Sequence, residues 1–391
     1  MPHNFDEYID RRGSHSAKWD AMETVYGVSS DDGLAMWVAD TDFKPPQAVN
    51  DALVALAEHG VHGYYANDKS YRAAITGWMD RRHAWQVEPD WIFPAHGLGA
   101  AIAICLQAFT KKDDAVILFS PVYHSFAKYI KANGRVVVES PLVNNDGHYE
   151  MDIPALEATL TGKETMMIFC SPHNPGGRVW TQSELEKVAD FCKRHAILLV
   201  SDEIHHDLVF APHKHISMPL AAPDITGQLI MLVAPSKTFN IAGGMSGCVV
   251  ISDPGLHAKY AHATLAAGVH GSRAGMIMVE EAYKNGDDYA DDLIEYLAEN
   301  HRIFDEGINK IPGLKSMKLE ATYLAWVDFS GTGMSSDDYK TRVEKHAKIA
   351  ANYGETFGTG GENFLRFNLG CRREMVVDAV KRLQDAFSDL Q

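Results

Sequence analysis

The chain contains no apolar run approaching the ~18 residues of a membrane-spanning helix. It has no internal repeat, no low-complexity linker and no CxxC pair among its five cysteines. Its start, Met1-Pro2-His3-Asn4-Phe5-Asp6, has neither the basic region nor the apolar core of a secretory signal. Membrane partners are therefore not expected, and a cytoplasmic location is. Cys105, Cys170 and Cys248 lie in apolar stretches, so the thiols are expected to be buried and free. Basic residues are also short: 36 Lys and Arg against 52 Asp and Glu give a net charge of −16. That balance argues against a nucleic-acid partner, which needs cations along its phosphates. It leaves small anionic ligands open, because they respond to local charge.

What is present is a large apolar fraction, 46% of 391 residues, enough to bury the cores of two domains. Residues 46–285 alternate helical patterns with short apolar runs. Gly99 to Phe109 reads as a helix, Ala115 to Phe119 and Val136 to Val138 as strands. Ser183 to His195 reads as a helix capped by Ser183, and Cys248 to Ile251 as a further strand. Such alternation predicts an α/β fold, with a mostly parallel sheet covered on both faces in a large domain. From residue 286 the pattern changes to a smaller α+β domain. It has a long helix through Ile308, a strand over Tyr323 to Val327, and a helix from Asp337 to Ala350. A strand near Phe364 to Leu369 and a last helix from Arg373 follow. Residues 1–45 lack periodicity and are expected to form an arm on that small domain or on a neighbouring subunit.

Three apolar runs end in polar residues. Thr165 to Cys170 runs into Ser171-Pro172-His173-Asn174-Pro175-Gly176-Gly177. Ala196 to Val200 runs into Ser201-Asp202-Glu203-Ile204-His205. Leu229 to Val233 runs into Ala234-Pro235-Ser236-Lys237. Ligands of open α/β sheets sit outside the carboxyl ends of the strands, so these three groups can converge on one molecule. A lysine can form an imine, an aspartate can hold a protonated ring nitrogen, and an asparagine can bond a phenolic oxygen. Together they suit pyridoxal 5′-phosphate. His96-Gly97-Leu98-Gly99 opens a helix, and free amides at a helix start bind phosphate. Ser236 could add a hydroxyl to the same phosphate, and Tyr123 could stack on the ring.

Each residue taken alone has a plainer reading. Lys237 would be a solvated lysine, Asp202 a loop carboxylate or helix cap, Asn174 part of an ordinary turn, and Tyr123 a core or loop aromatic. Gly97-x-Gly99 is a weak dinucleotide signal, since Ile102 stands where a third glycine belongs. Arg366, in Phe364-Leu365-Arg366-Phe367-Asn368, is either half of a structural ion pair or a clamp for a carboxylate. Asp202-Glu203-Ile204-His205-His206-Asp207 has metal-ligand residue types. Adjacent histidines on a strand or turn point apart, however, and no further ligand pattern is visible, so no metal is expected.

Taken together and in this order, the residues resemble the pyridoxal-phosphate-dependent aminotransferase superfamily of the aspartate aminotransferase fold. They are most similar to its MalY/PatB-type branch of cystathionine β-lyases and other carbon–sulfur lyases. The likeness spans nearly the whole chain. It is carried by Ile9-Asp10-Arg11-Arg12-Gly13, Lys18-Trp19-Asp20, Trp37-Val38-Ala39-Asp40-Thr41-Asp42-Phe43, His62-Gly63-Tyr64, Asp202-Glu203-Ile204-His205 and Ser236-Lys237-Thr238-Phe239-Asn240. The resemblance implies that Lys237 is the Schiff-base lysine and Asp202 the pyridinium partner. Asn174 and His205 would lie near the phenolic side, and Tyr123 would stack on the ring. The amides of Leu98 and Gly99 would face the phosphate with Ser236. Arg366 would clamp the substrate carboxylate, assisted by the backbone near Ala39. Tyr64 would reach the phosphate of a second subunit, which implies a homodimer with shared sites.

There are departures. Thr41 stands where the branch usually has methionine, the phosphate loop lacks the usual Val and Pro, and Ala234 replaces a frequent serine. Met245 occupies the position where many aminotransferases carry a phosphate-binding arginine, which favours the lyase branch. The activity implied is elimination of a thiol from a sulfur-bearing L-amino acid to give pyruvate and ammonia. The alternatives are transamination and, in another class, a cofactor-binding regulatory protein with little turnover.

Overall fold

The computed structural model describes residues 3–390 of the chain. Seven short strands build its large sheet: β1 (Ile92–Ala95), β2 (Ala115–Ser120), β3 (Val136–Pro141), β4 (Glu164–Cys170), β5 (Leu198–Asp202), β6 (Leu229–Val233) and β7 (Gly247–Val250). They lie in the order β1-β7-β6-β5-β4-β2-β3. β7 runs antiparallel to both neighbours, while the five strands from β6 to β3 are mutually parallel. The expected α/β architecture is therefore present.

Side chains along the central strands alternate between two cores. Ile117, Phe119, Met167, Phe169 and Leu199 enter one; Val116, Leu118, Met166, Ile168 and Val200 enter the other. Both faces are covered, which is why these strands read as unbroken apolar runs. The first core continues into a second, antiparallel sheet of four strands: β8 (Lys315–Ser316), β9 (Leu324–Asp328), β10 (Asn352–Tyr353) and β11 (Phe364–Asn368), in the order β8-β9-β11-β10. Arg366 sits in the middle of β11, paired with Trp326 on one side and Asn352 on the other. The helices Asp287–Ile308 and Arg373–Ala386 accompany this sheet, and Phe304 of the first packs on Phe367.

Three local expectations are corrected. The helix expected from Ser183 with that residue as its cap spans Gln182–Arg194 and is capped by Thr181. The Thr181 hydroxyl accepts from the Glu184 amide, and the Glu184 carboxylate accepts from the Thr181 amide at 2.8 Å, which satisfies two otherwise orphaned donors. The helix expected from Gly99 starts at Gly97. The helix expected from Asp337 to Ala350 stops at Thr341, passes through a wide turn at Arg342–His346, and gives way to an extended Ile349–Ala350. Lys348, at φ 53°, turns the chain from that wide turn into the extended pair. The reason is tertiary: Ile349 and Ala350 pair with Leu34 and Ala35 of the arm, and that pairing requires extended backbone.

The arm is held by charge as well as by strand pairing. Lys18 is wholly buried, and its ammonium donates to Asp42 Oδ2 at 2.9 Å. Arg11 bridges Asp40 at 2.9 Å and Asp42 at 2.7 Å. Burial pushes the Asp42 carboxyl up, but Lys18 and Arg11 outweigh it and hold it below the usual range. Removing one partner of a buried pair leaves an uncompensated charge. Lys18→Met is therefore expected to cost about 3 kcal/mol, the lower end for such losses because Arg11 remains. A thermal unfolding scan at neutral pH checks this, and an unchanged midpoint would contradict it.

Candidate active site

The ends of β4, β5 and β6 are level: Cys170 pairs with Asp202, and Asp202 with Leu232. Asp202 closes β5, and the turns beyond β4 and β6 carry Asn174 and Lys237. One cavity at this edge is lined by Ala39, Leu98, Gly99, Tyr123, Asn174, Asp202, His205 and Lys237, together with Ile102, Phe126, Tyr129, Cys170 and Ile204. Ser236 is buried next to Lys237 but does not line the cavity. Arg366 stands beside Asn174. Tyr64 lies apart from the cavity, with its side chain fully exposed.

Lys237 Nζ donates to the Ala39 carbonyl at 2.7 Å, and the Tyr323 hydroxyl donates to the same oxygen at 3.1 Å. Two donors fill that oxygen's lone pairs. Burial lowers the Lys237 pKa to about 8, so a neutral amine is accessible near physiological pH. Asp202 is buried and accepts one hydrogen bond, from the Ile204 amide at 3.1 Å. Burial pushes its carboxyl up to about 7. Among the described residues no ion pair reaches it, so it is available to a cationic ligand atom.

Asn174 Oδ1 accepts from Arg366 Nη1 at 3.0 Å, which leaves the amide nitrogen as the donor for a ligand. His205 is buried with Nδ1 unpartnered, and burial, followed by the charges of Lys237 and Arg366, keeps the ring neutral. At the other end of the cavity, the helix Gly97–Phe109 begins without a side-chain cap, so its first amides are free. Gly97 has φ 74°, a conformation that side chains resist. A Cβ on Gly99 would lie 2.6 Å from the Tyr129 hydroxyl, so only glycine lets that hydroxyl close on the helix start.

Arg366 is 2% exposed. Its guanidinium donates to the Trp37 carbonyl at 3.0 Å and to Asn352 Oδ1 at 2.5 Å, and it lies 4.9 Å from the Phe357 ring centre. Nε has no partner, and the partners of the group among the described residues are amide and carbonyl oxygens, none a carboxylate. Burial lowers its pKa to about 10. Of the two readings open from the sequence, the structural ion pair is therefore removed. A buried cation with spare donors and no counter-charge is suited to a carboxylate supplied by a ligand.

Several functional neighbours gave no signal in the sequence. Tyr129 and Tyr323 are isolated tyrosines, and Asn352 lies on a two-residue strand. Glu203 turns away from the cavity, as strand alternation predicts, and bonds Ser201, His215 and the Met218 amide. His205 and His206 also diverge: the first lines the cavity, the second faces His83 and Asp207. The donor set as a whole fits pyridoxal phosphate. It offers an amine for an aldehyde, a carboxylate for a pyridinium, an amide donor for a phenolic oxygen and free helix-start amides for a phosphate.

The model of the family described as aminotransferase class I and II matches residues 36–383. The chain is 37% identical over 388 residues to "Cystathionine beta-lyase PatB" of Bacillus subtilis (strain 168), covering 98% of this chain and 100% of that one. Cystalysin from Treponema denticola, whose crystal structure contains pyridoxal 5′-phosphate, superposes with a TM-score of 0.95 at 31% identity and covers 100% of both chains. The pyridoxal-phosphate-bound C–S lyase from Staphylococcus hominis superposes with a TM-score of 0.91 at 28% identity, covering 99% of this chain and 98% of that one.

The depressed Lys237 pKa has a direct consequence in cofactor-free protein. Below about 8 the side chain is an ammonium and above it a nucleophilic amine. Its labelling by a trace acylating reagent, followed by mass spectrometry across pH, should rise with a midpoint near about 8. A midpoint at the ~10.4 of an ordinary lysine would contradict this.

Proposed function

This chain belongs to the class I and II aminotransferase family, and from that premise we propose that it is a pyridoxal-phosphate-dependent carbon–sulfur β-lyase. It removes a thiol from a sulfur-bearing L-amino acid and yields pyruvate and ammonia. The observation that carries the reading is one cavity holding Lys237, unpaired Asp202 and free helix-start amides, with a carboxylate-free Arg366 behind Asn174. The lyase assignment rather than transamination is supported by the named lyases among the relatives. It is supported also by Met245, whose side chain, not an arginine's, lies beside Gly97 at the phosphate end.

In this reading Lys237 holds the cofactor covalently, Asp202 faces its ring nitrogen, and Asn174 and His205 lie on its phenolic side. Tyr123 would cover the ring and the amides of Leu98 and Gly99 would hold the phosphate; Ser236, buried beside Lys237 and outside the cavity lining, would join them only by turning its hydroxyl inward. When bound, the cofactor supplies an aldehyde for amine exchange and a cationic ring that accepts electrons from Cα. Asp202 stays ionised against that cation. Arg366 takes the substrate carboxylate on its spare donors, with the Ala39 backbone beside it, and so fixes which face of Cα meets Lys237. Lys237, freed as a neutral amine, removes the Cα proton. The electron pair left on Cα forms the Cα–Cβ double bond as the Cβ–S bond breaks, and the sulfur leaves as a thiol once protonated. Water then converts the released enamine to pyruvate and ammonia, which balances the reaction.

Residues 46–285 form the cofactor domain in this reading, and 1–45 with 286–391 the arm and small domain. The enzyme is a homodimer. Tyr64, fully exposed in the single chain, reaches the partner's phosphate, and the exposed apolar Val61, three residues before it, supports a covered surface there.

The test is product analysis with cystathionine or an S-alkyl cysteine in the absence of any keto acid. Pyruvate and ammonia should appear in equal amounts with one thiol. Turnover that requires a keto-acid acceptor would instead make the chain an aminotransferase. No turnover with bound cofactor would make it a binding protein.

A further inference from the structure

Behind the active-site wall, on the far side of the turn after β5, lies a second cluster that the reaction above does not use. His83, at the end of the helix Lys69–His83, is brought to His206 and Asp207. Ligand atoms of all three lie within 4.8 Å of one another. Their side chains are 5%, 1% and 0% exposed. The sequence could not show this grouping, because the adjacent histidines do diverge and the missing partner stands far upstream.

The contacts at Asp207 Oδ1 are crowded. It accepts from Trp78 Nε1 at 3.0 Å, lies 2.8 Å from His83 Nε2 and 3.3 Å from His206 Nε2. A carboxylate oxygen has about two lone-pair directions, so three nitrogens exceed what it can accept. His206 Nε2 is the one left over: it is buried, and its 3.3 Å approach to Oδ1 brings the two charges together without hydrogen-bond geometry. The other carboxylate oxygen, Oδ2, is fixed by the Thr238 hydroxyl at 2.8 Å. Close by, His215 Nε2 bonds Glu203 at 2.8 Å, so a second buried carboxylate borders the cluster. Arg82, on the same helix as His83, is drawn to Asp287 and Asp291.

We infer that His83, His206 and Asp207 bind one divalent transition-metal ion of the zinc class. Two imidazoles and one carboxylate are borderline ligands, which suit zinc or cobalt better than calcium or magnesium. Metal–nitrogen and metal–oxygen bonds of ~2.0–2.2 Å put neighbouring ligand atoms of a tetrahedral site roughly 3.4 Å apart. The 3.3 Å separation already meets this, and the 2.8 Å one opens to it by a small rotation of the His83 ring. With an ion in place, both Nε2 atoms point their lone pairs at the metal, Trp78 keeps its bond to Oδ1, and no nitrogen is left over. Trp78 and Thr238 orient the ligating carboxylate from outside, as partners of metal ligands commonly do. Three protein ligands leave one position to water. The ion ties the end of the helix Lys69–His83 to the turn after β5 and, through Asp207, to Thr238, the residue that follows Lys237. This site stands whether or not the elimination chemistry is right.

The experiment uses the cofactor-loaded protein, stripped of metal by a chelator and titrated separately with zinc chloride and cobalt chloride. One ion per chain should be retained after desalting. Cobalt should give the visible d–d absorption of a four-coordinate ion, distinct from the cofactor band. His206→Gln and His83→Gln should each lose that absorption and bind zinc at least tenfold more weakly, with circular dichroism and the cofactor band reporting that they fold. X-ray absorption of the wild-type zinc protein should show imidazole and oxygen ligands without sulfur, and this decides the matter if a variant fails to fold. No retained ion, sulfur ligation, or binding unchanged in either variant would overturn the site and leave a cluster that shares protons alone.

Discussion

The carbonyl oxygen of Ala39 is the point on which the site depends. It accepts from Lys237 at 2.7 Å and from Tyr323 at 3.1 Å, so the arm, the lysine turn and the residue preceding β9 meet at one atom. The surrounding backbone is clamped from both sides. Asn240, three residues beyond Lys237, donates to the carbonyls of Thr41 and Phe43 at 2.8 Å and accepts from the Thr41 amide. Asn368, at the end of β11, donates to the carbonyls of Val38 and Asp40. An irregular segment carries its hydrogen-bonding groups into the interior only when such partners are supplied. Here they come from the turn that carries Lys237 and from the end of β11, the strand of Arg366, which fixes the lysine and Arg366 relative to each other.

The second constraint is charge left without a counter-charge. Asp202, Lys237 and Arg366 are each shifted against their charged forms, and in each case burial is the largest cause. Such groups cost stability in the ligand-free chain. A ligand that brings a pyridinium and an anionic headgroup, then a substrate carboxylate, supplies what each group lacks. By contrast Arg11, Lys18, Asp40 and Asp42 are buried or half-buried and mutually paired, which suits a structural role. The two sets share residue types and differ in whether the chain provides the partner.

The sheet was legible in the sequence because β2, β4, β5 and β6 are unbroken apolar runs that tertiary contacts do not override. The residues at their ends were legible for the same reason: Asn174, Asp202 and Lys237 each follow such a run. What local pattern could not show is what a distant segment imposes. Ile349 and Ala350 are extended because Leu34 and Ala35 pair with them. Thr181 rather than Ser183 caps its helix because the reciprocal bond to Glu184 exists only from that position. Tyr129, Tyr323 and Asn352 reach the site by packing alone. Whether Arg366 was paired within the chain or free for a ligand could not be read from its apolar neighbours, since a salt-bridge partner could have come from anywhere in the chain.

The central claim is that Lys237 is the residue joined to the cofactor. The most direct measurement is borohydride reduction of the holoprotein followed by proteolysis and peptide mass mapping. The reduced pyridoxyl group should be found on the peptide that contains Lys237 and on no other. Its recovery on a different lysine, or the absence of any reducible link in protein that carries the cofactor, would contradict the account.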